Sequence, residues 1–413
     1  MLIIYGGLYL GGIETFFLRL AKKSKERGEK IRFLILSHKS DSNEELVSKL
    51  SEYAEVYFFN DIFRNIPFLG TRFFLLNKFK DNKLSDLLDE VQVIHVTTGE
   101  HALLANRMLK INNTNIPITV GVYHNQQFCW KKPTIPYYEK VNRKYVFEYV
   151  SDSNILCFAK STKEYLIKET SYPLTSAKTF RLGVVDKVME KASNYKDFSS
   201  NKIKMCAVGR LVKFKTYNIW MTKVIESLRE KNIDIIFDIY GEGPLESQIK
   251  NIINNSSVSL KGEFDYSNFD TKIKEYDLFI GSGTAIIQAS SLGIPSIIGI
   301  ESIEEPYTYG YFSEFYEYEY HSLDLDFPKV KVEELIENFL AMDKREKDFL
   351  SQKHILASES FNMNECYNNF INPNNKYVPL EKHMNVNLLR YYLSRVIFYF
   401  YSKLLNLDVY YQG

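Results

Sequence analysis

The sequence predicts an α/β protein built on parallel sheets, and three observations carry the prediction. Residues 281–299 read Gly-Ser-Gly-Thr-Ala-Ile-Ile-Gln-Ala-Ser-Ser-Leu-Gly-Ile-Pro-Ser-Ile-Ile-Gly. The apolar run Asp277-Leu278-Phe279-Ile280 enters that glycine-rich turn, a helix of small and apolar residues follows, and Gly293-Ile294-Pro295 returns the chain to another apolar strand. This is a strand–turn–helix–strand unit of a parallel sheet. Upstream, the strand Met205-Cys206-Ala207-Val208 runs directly into Gly209-Arg210-Leu211, with a helix beyond. The third observation is the alternation in the first half, where apolar strand candidates at 2–5, 31–36, 55–59, 91–96, 118–122 and 155–158 are separated by helical or loop stretches.

In chain order, the first helix lies between the first two strands. Its apolar residues Ile13, Phe16, Phe17, Leu20 and Ala21 fall at i, i+3, i+4, i+7 and i+8, and Arg19, Lys22, Lys23, Lys25 and Arg27 form its outer face. A chain of 413 residues is longer than one core usually supports, so two domains are expected. The polar stretch 186–203 reads as the linker, which gives a first domain at 1–185, a second at 204–375 and a helical tail at 376–413 that crosses back to the first. In the second half, the strand at 235–240 ends in Gly241-Glu242-Gly243-Pro244, and Leu245, Ile249, Ile252 and Ile253 form a helical stripe read as core packing.

The composition is that of an ordinary globular protein: 45% hydrophobic, 25% charged, net charge +1. No global charge points to nucleic acid. The four cysteines, Cys129, Cys157, Cys206 and Cys366, are widely spaced with no CxxC pair, so neither a metal cage nor a disulfide framework is expected. The chain begins at once with a strand, Leu2-Ile3-Ile4-Tyr5, which argues against a signal peptide and for a reducing cytoplasm.

The loops carry the chemistry. Gly281 and Gly283 let backbone approach a ligand, and the N–H groups that open the following helix have no partners within it, so this turn suits a phosphate. Arg210 offers a planar fork of donors and Lys215 a flexible ammonium, a pair matched to a diphosphate. With Gly241 and Gly243, three loops sit at carboxyl ends of strands, the edge at which open α/β sheets bind ligands.

Taken together, Gly209-Arg210-Leu211…Lys215, Gly241-Glu242-Gly243-Pro244, Val258-Ser259-Leu260-Lys261-Gly262 and Tyr276-Asp277…Gln288-Ala289…Gly293-Ile294-Pro295 resemble, in order and spacing, the group 1 (glycogen-synthase-like) glycosyltransferases. Gly11-Gly12-Ile13-Glu14-Thr15 and Leu182-Gly183-Val184 are similar to features of that family's first domain. The resemblance implies a GT-B architecture of two Rossmann-like domains facing across a cleft, with a nucleotide-sugar donor on the second and a saccharide or lipid-linked saccharide acceptor entering from the first. It implies that Arg210 and Lys215 hold the donor diphosphate, that Gly209, Gly241, Gly243 and the N–H groups of Ser282, Gly283 and Thr284 line it, and that Gly11 and Gly12 approach the same phosphates. No cofactor and no divalent metal are then required, a UDP-sugar being the expected donor, and no Asp-x-Asp stands in these loops. It also implies that His124, which ends the strand at 118–122, contacts the transferring sugar.

The chain departs from the family at one point. Members usually place two glutamates eight positions apart; here Gln288 stands in place of the second and Ile280 in place of the first, so Gln288 meets the ribose without charge assistance. A retaining hexosyl transfer in surface-polysaccharide or lipid-linked glycan assembly follows from the resemblance. A sugar-nucleotide 2-epimerase of the same architecture and a non-catalytic nucleotide- or glycan-binding partner stay open beside it.

Two other residues have blander readings, and His101 a functional one. His95 is expected to be a satisfied, half-buried histidine, His101 an acceptor contact, and Glu14 a carboxylate favoured by the helix dipole. Aromatic residues make up 15% of the chain and cluster at 63–79 and 388–405, both greasy and basic. Charges interrupt each before it reaches spanning length. The first is expected to touch the inner face of the plasma membrane, the second to pack internally.

Overall fold

The computed structural model describes residues 1–9, 11–64, 70–124, 127–130, 135–186, 202–253, 256–263, 268–371 and 377–404. The chain divides into two compact units, Met1–Arg181 with Tyr367–Gly413, and Leu182–Cys366. The expected linker lies, over 187–201, outside the described residues.

The first unit is a seven-stranded parallel sheet. Its strands are β1 (Leu2–Tyr5), β2 (Arg32–Ile35), β3 (Glu55–Phe58), β4 (Ile94–Val96), β5 (Ile118–Val122), β6 (Ile155–Cys157) and β7 (Lys178–Thr179), in the order β3-β2-β1-β4-β5-β6-β7. Ile4 lies opposite Leu34 on one side and Val96 on the other. The central strands are short apolar runs because helices cover both faces of such a sheet. The helix Gly12–Glu26 buries Phe16, Phe17, Leu20 and Ala21. It also buries Glu14 in place of the expected Ile13, which is half-buried, and the Tyr5 hydroxyl donates to the Glu14 carboxylate at 3.0 Å. That partner is what makes a carboxylate tolerable in the stripe.

The terminal helix Leu388–Leu404 packs on the helix Tyr137–Glu148. Tyr391 and Tyr392 are buried there; the Tyr391 hydroxyl donates to Asn142 Oδ1 at 2.8 Å, and the Tyr392 hydroxyl accepts from the Leu75 N–H at 3.1 Å. The described apolar residues of 63–79 do not match the expected membrane contact. Phe63, Phe74 and Leu75 are buried and Phe73, Leu76 and Phe79 pack against the same core, because the terminal helix and the Phe59 turn supply them with protein partners. The stretch 65–69 lies outside the described residues.

Glu139 gives this unit a pH dependence. Burial pushes its carboxyl from the ordinary 4.5 up to about 7, against the pull of Asn142 and Arg143. The folded state therefore holds the proton more tightly than the unfolded chain, and this contribution to stability is present below about pH 4.5 and lost as the pH rises through 7. Glu139→Gln is expected to raise stability near pH 8 by about 3 kcal/mol and to leave it unchanged below about pH 4.5, as read from urea unfolding at the two values.

The second unit is a five-stranded parallel sheet of β8 (Ile203–Val208), β9 (Ile235–Tyr240), β10 (Val258–Gly262), β11 (Leu278–Gly281) and β12 (Ser296–Ile298), in the order β10-β9-β8-β11-β12. Met205 pairs with Phe237 and with Leu278, all buried. The helix Tyr217–Glu230 sets Met221, Ile225 and Leu228 into this core. His354 fastens the helix Lys344–Glu359 to β12: its Nε2 accepts from the Ser296 N–H at 2.9 Å and its Nδ1 meets the Leu350 carbonyl at 2.8 Å. That pattern requires the neutral Nδ1–H tautomer, in agreement with burial lowering its pKa to about 4.

Candidate functional site

In each sheet the strand order reverses at one point, between β1 and β4 and between β8 and β11. The loops that leave the carboxyl ends of those strands part there and open a crevice, the position at which doubly wound sheets hold ligands.

In the second unit the loops after β8 and β9 are laced together by main-chain hydrogen bonds. The Gly209 N–H donates to the Tyr240 carbonyl at 3.0 Å, the Leu211 N–H to the Glu242 carbonyl at 2.9 Å, and the Leu245 N–H to the Leu211 carbonyl at 3.0 Å. This closeness leaves no room for side chains. Gly241 has φ +137°, and a Cβ there would stand 2.0 Å from the Gly209 carbonyl oxygen; Gly243 has φ +152°, and a Cβ would stand 2.5 Å from the Leu211 carbonyl oxygen. Lys215 is half-buried and folds back, so that its Nζ lies 2.7 Å from the place a Cβ on Gly209 would occupy, while Arg210 is exposed. Beneath these loops the Tyr276 hydroxyl donates to Asp238 at 2.7 Å and meets the Tyr240 hydroxyl at 2.7 Å. The result places Arg210 and Lys215 on one loop whose backbone is braced by the next.

Across the crevice, β11 leads through Ser282 into the helix Gly283–Ser291. Ser282 occupies the N-cap position in extended conformation, yet its side chain makes no cap bond; the hydroxyl donates to Glu301 Oε1 at 2.9 Å. The Tyr320 hydroxyl donates to the Gly283 carbonyl at 2.9 Å, and among the described residues, its chain neighbours and own helix backbone aside, no atom stands within 4 Å of where a Gly283 Cβ would project. Thr284 is half-buried beside it. One turn on, Gln288 donates from Nε2 to Asp270 at 2.8 Å, so its amide is oriented by a neighbouring carboxylate. Glu301 and Tyr320 were not singled out in the sequence. Glu301 follows β12, at the same sheet edge that identified the other loops, and that rule extended by one strand finds it.

The first unit holds a cavity of about 450 Å³ at its own switch point, lined among others by Tyr5, Tyr9, Arg72, Phe74, Glu100, His101 and Arg395. His101 Nδ1 meets Thr97 Oγ1 at 3.2 Å, and burial keeps the ring neutral, its pKa lowered to about 3. Glu100 is paired with Arg395; burial nevertheless raises its carboxyl to about 6, the guanidinium opposing the rise. His95 corrects the expectation of a half-buried residue. It is fully buried, with Nδ1 on Thr119 Oγ1 at 3.0 Å and Nε2 on the Tyr123 hydroxyl at 2.9 Å, because β4 is covered on both faces. His124 is half-buried on the loop after β5, where its carbonyl accepts from the Gln127 N–H at 3.0 Å. Gly11 caps the helix that Gly12 opens, and a Cβ on Gly11 would stand 2.4 Å from the Glu14 carboxylate.

No family model matches the chain, and no curated protein matches its sequence. Solved structures do match its fold. A glycosyltransferase from Rickettsia africae is 14% identical over 90% of this chain and 99% of its own, with a TM-score of 0.61. Anabaena HepE, solved in complex with UDP, is 14% identical over 90% of this chain and 97% of its own, at 0.60. The pneumococcal O-GlcNAc transferase GtfA, solved with UDP and GlcNAc, is 11% identical over 90% and 98%, at 0.57. The architecture is GT-B: α/β, with a seven-stranded and a five-stranded parallel sheet in two Rossmann-like units.

Proposed function

We propose that this chain is a glycosyltransferase that moves a sugar, a hexose type, from a nucleotide-sugar donor to a hydroxyl of a saccharide acceptor. The observation that carries the reading is the braced cationic loop at the second switch point, Arg210 and Lys215 on a backbone laced to Tyr240, Glu242 and Leu245, with Gly241 and Gly243 allowing the close approach. Two arginine or lysine charges held on a rigid edge stabilise a departing diphosphate better than they stabilise the intact donor, and that difference is catalysis. The GT-B fold and the presence of UDP in two proteins of the same fold support a uridine diphosphate donor.

In this reading the N–H groups of Ser282, Gly283 and Thr284 add donors to the diphosphate, and Gln288, oriented by Asp270, takes the ribose. Gly209 gives the phosphates access to Lys215, and His124 is assigned to the transferring sugar. No metal takes part. The bond from the sugar's anomeric carbon to the diphosphate breaks with its electrons on the phosphate oxygen. The acceptor oxygen attacks from the same face, and its proton passes to that phosphate oxygen, so configuration is retained. Surface-polysaccharide or lipid-linked glycan assembly at the inner face of the plasma membrane is the setting we assign.

Thermal shift with UDP, GDP, ADP and CMP tests the donor half of the proposal. UDP at about 100 times its dissociation constant is expected to add about 2.7 kcal/mol of stability. A chain that no nucleotide stabilises has no donor site, and the proposal falls.

A further inference from the structure

The helix Leu388–Leu404 has two different apolar faces. One is spent on the core, where Tyr391, Tyr392, Phe398 and Ser402 are buried. The other is largely open among the described residues: Leu389 is 80% exposed, Ile397 59%, Phe400 59% and Leu404 83%, with Leu393 and Val396 also exposed. At 3.6 residues per turn these six side chains fall within an arc of about 100°, a continuous stripe. Arg390 and Tyr401 border it on one edge and Lys403 and Tyr399 on the other, all exposed, and the helix carries no acidic residue.

We propose that this stripe lies in the interface of a bilayer that contains anionic lipids, with the helix parallel to the membrane plane. Tyrosines and cations beside an apolar arc are what an interfacial helix places at headgroup level. The charge pattern selects the occupant. Each edge of the stripe carries a cation and the helix has no acidic residue, so anionic headgroups complement both edges. No helix among the described residues is long and apolar enough to cross a membrane, so the contact is peripheral. From its protein side the same helix sends Arg395 into the cavity of the first unit. That a lipid-borne acceptor reaches this cavity rests on the transferase reading; the membrane contact does not.

Co-sedimentation of the full chain with vesicles tests the contact without reference to turnover. The chain is expected to bind vesicles of equal parts phosphatidylglycerol and phosphatidylcholine, to bind pure phosphatidylcholine far more weakly, and to come off as salt rises. The double variant Ile397→Ser/Phe400→Ser should lose at least about tenfold in binding. Because both side chains are exposed, its melting temperature and far-ultraviolet circular dichroism should match the parent's. Arg390→Gln/Lys403→Gln should lose about tenfold on anionic vesicles only. Absence of binding by the parent, or equal binding by the serine variant, overturns the proposal. So does a dimer in light scattering that the serine variant breaks while vesicles capture nothing, which assigns the stripe to a second copy. Binding that appears only after deletion of residues 405–413 assigns it to the chain's own end and overturns it as well.

Discussion

Arg210→Ala lowers sugar transfer by about 10²–10³-fold and leaves the fold unchanged. The side chain is exposed at the second switch point and lies outside the core, so its removal costs the leaving group a charge-assisted donor without costing the core a contact. Lys215→Ala has an effect of the same order, and the double variant loses less than the sum of the two because both act on one diphosphate. The measurement is kcat/KM for a UDP-sugar, with the melting temperature of each variant as the control on folding. Turnover in Arg210→Ala equal to that of the parent removes the assigned role.

Gly241→Ala acts on the same site through the backbone. The new methyl would stand 2.0 Å from the Gly209 carbonyl oxygen at a φ of +137°, which side chains rarely adopt. Backbone strain and overpacking each cost about 1–3 kcal/mol, so the unit loses about 2–6 kcal/mol and the two loops separate. Nucleotide affinity falls although Arg210 and Lys215 are both present. The comparison is Gly262→Ala, at φ +72° with open space around it, which bears the backbone strain alone. Equal melting temperatures for the two variants would show that the lacing of the loops is not what requires glycine at 241.

Much of this was legible in the sequence because it follows from local chemistry. Sheet strands covered on both faces are apolar, so β1, β2, β5 and β6 stand out as runs, and loops that approach a neighbouring backbone carry glycine, as at 241 and 243. What stayed hidden depends on partners far along the chain. Glu14 reads as a carboxylate favoured by the helix dipole, with nothing to say that Tyr5 holds it in the buried stripe. Nothing in Glu100 announces that Arg395, 295 positions later, closes on it. The terminal helix misleads in another way: aromatic and aliphatic residues surround it, so periodicity does not tell the packed face from the open one, and only its contact with the helix Tyr137–Glu148 separates them.

The first unit is assembled from two separated segments, Met1–Arg181 and Tyr367–Gly413, with the whole of the second unit between them. On the ribosome, Tyr391, Tyr392 and Arg395 emerge after the second unit, so the sheet of the first segment waits, one wall missing, while Leu182–Cys366 is added. At ordinary elongation rates that wait lasts on the order of 10–50 s, long enough for chaperones to act on the exposed seam, whereas the contiguous Leu182–Cys366 unit can close first.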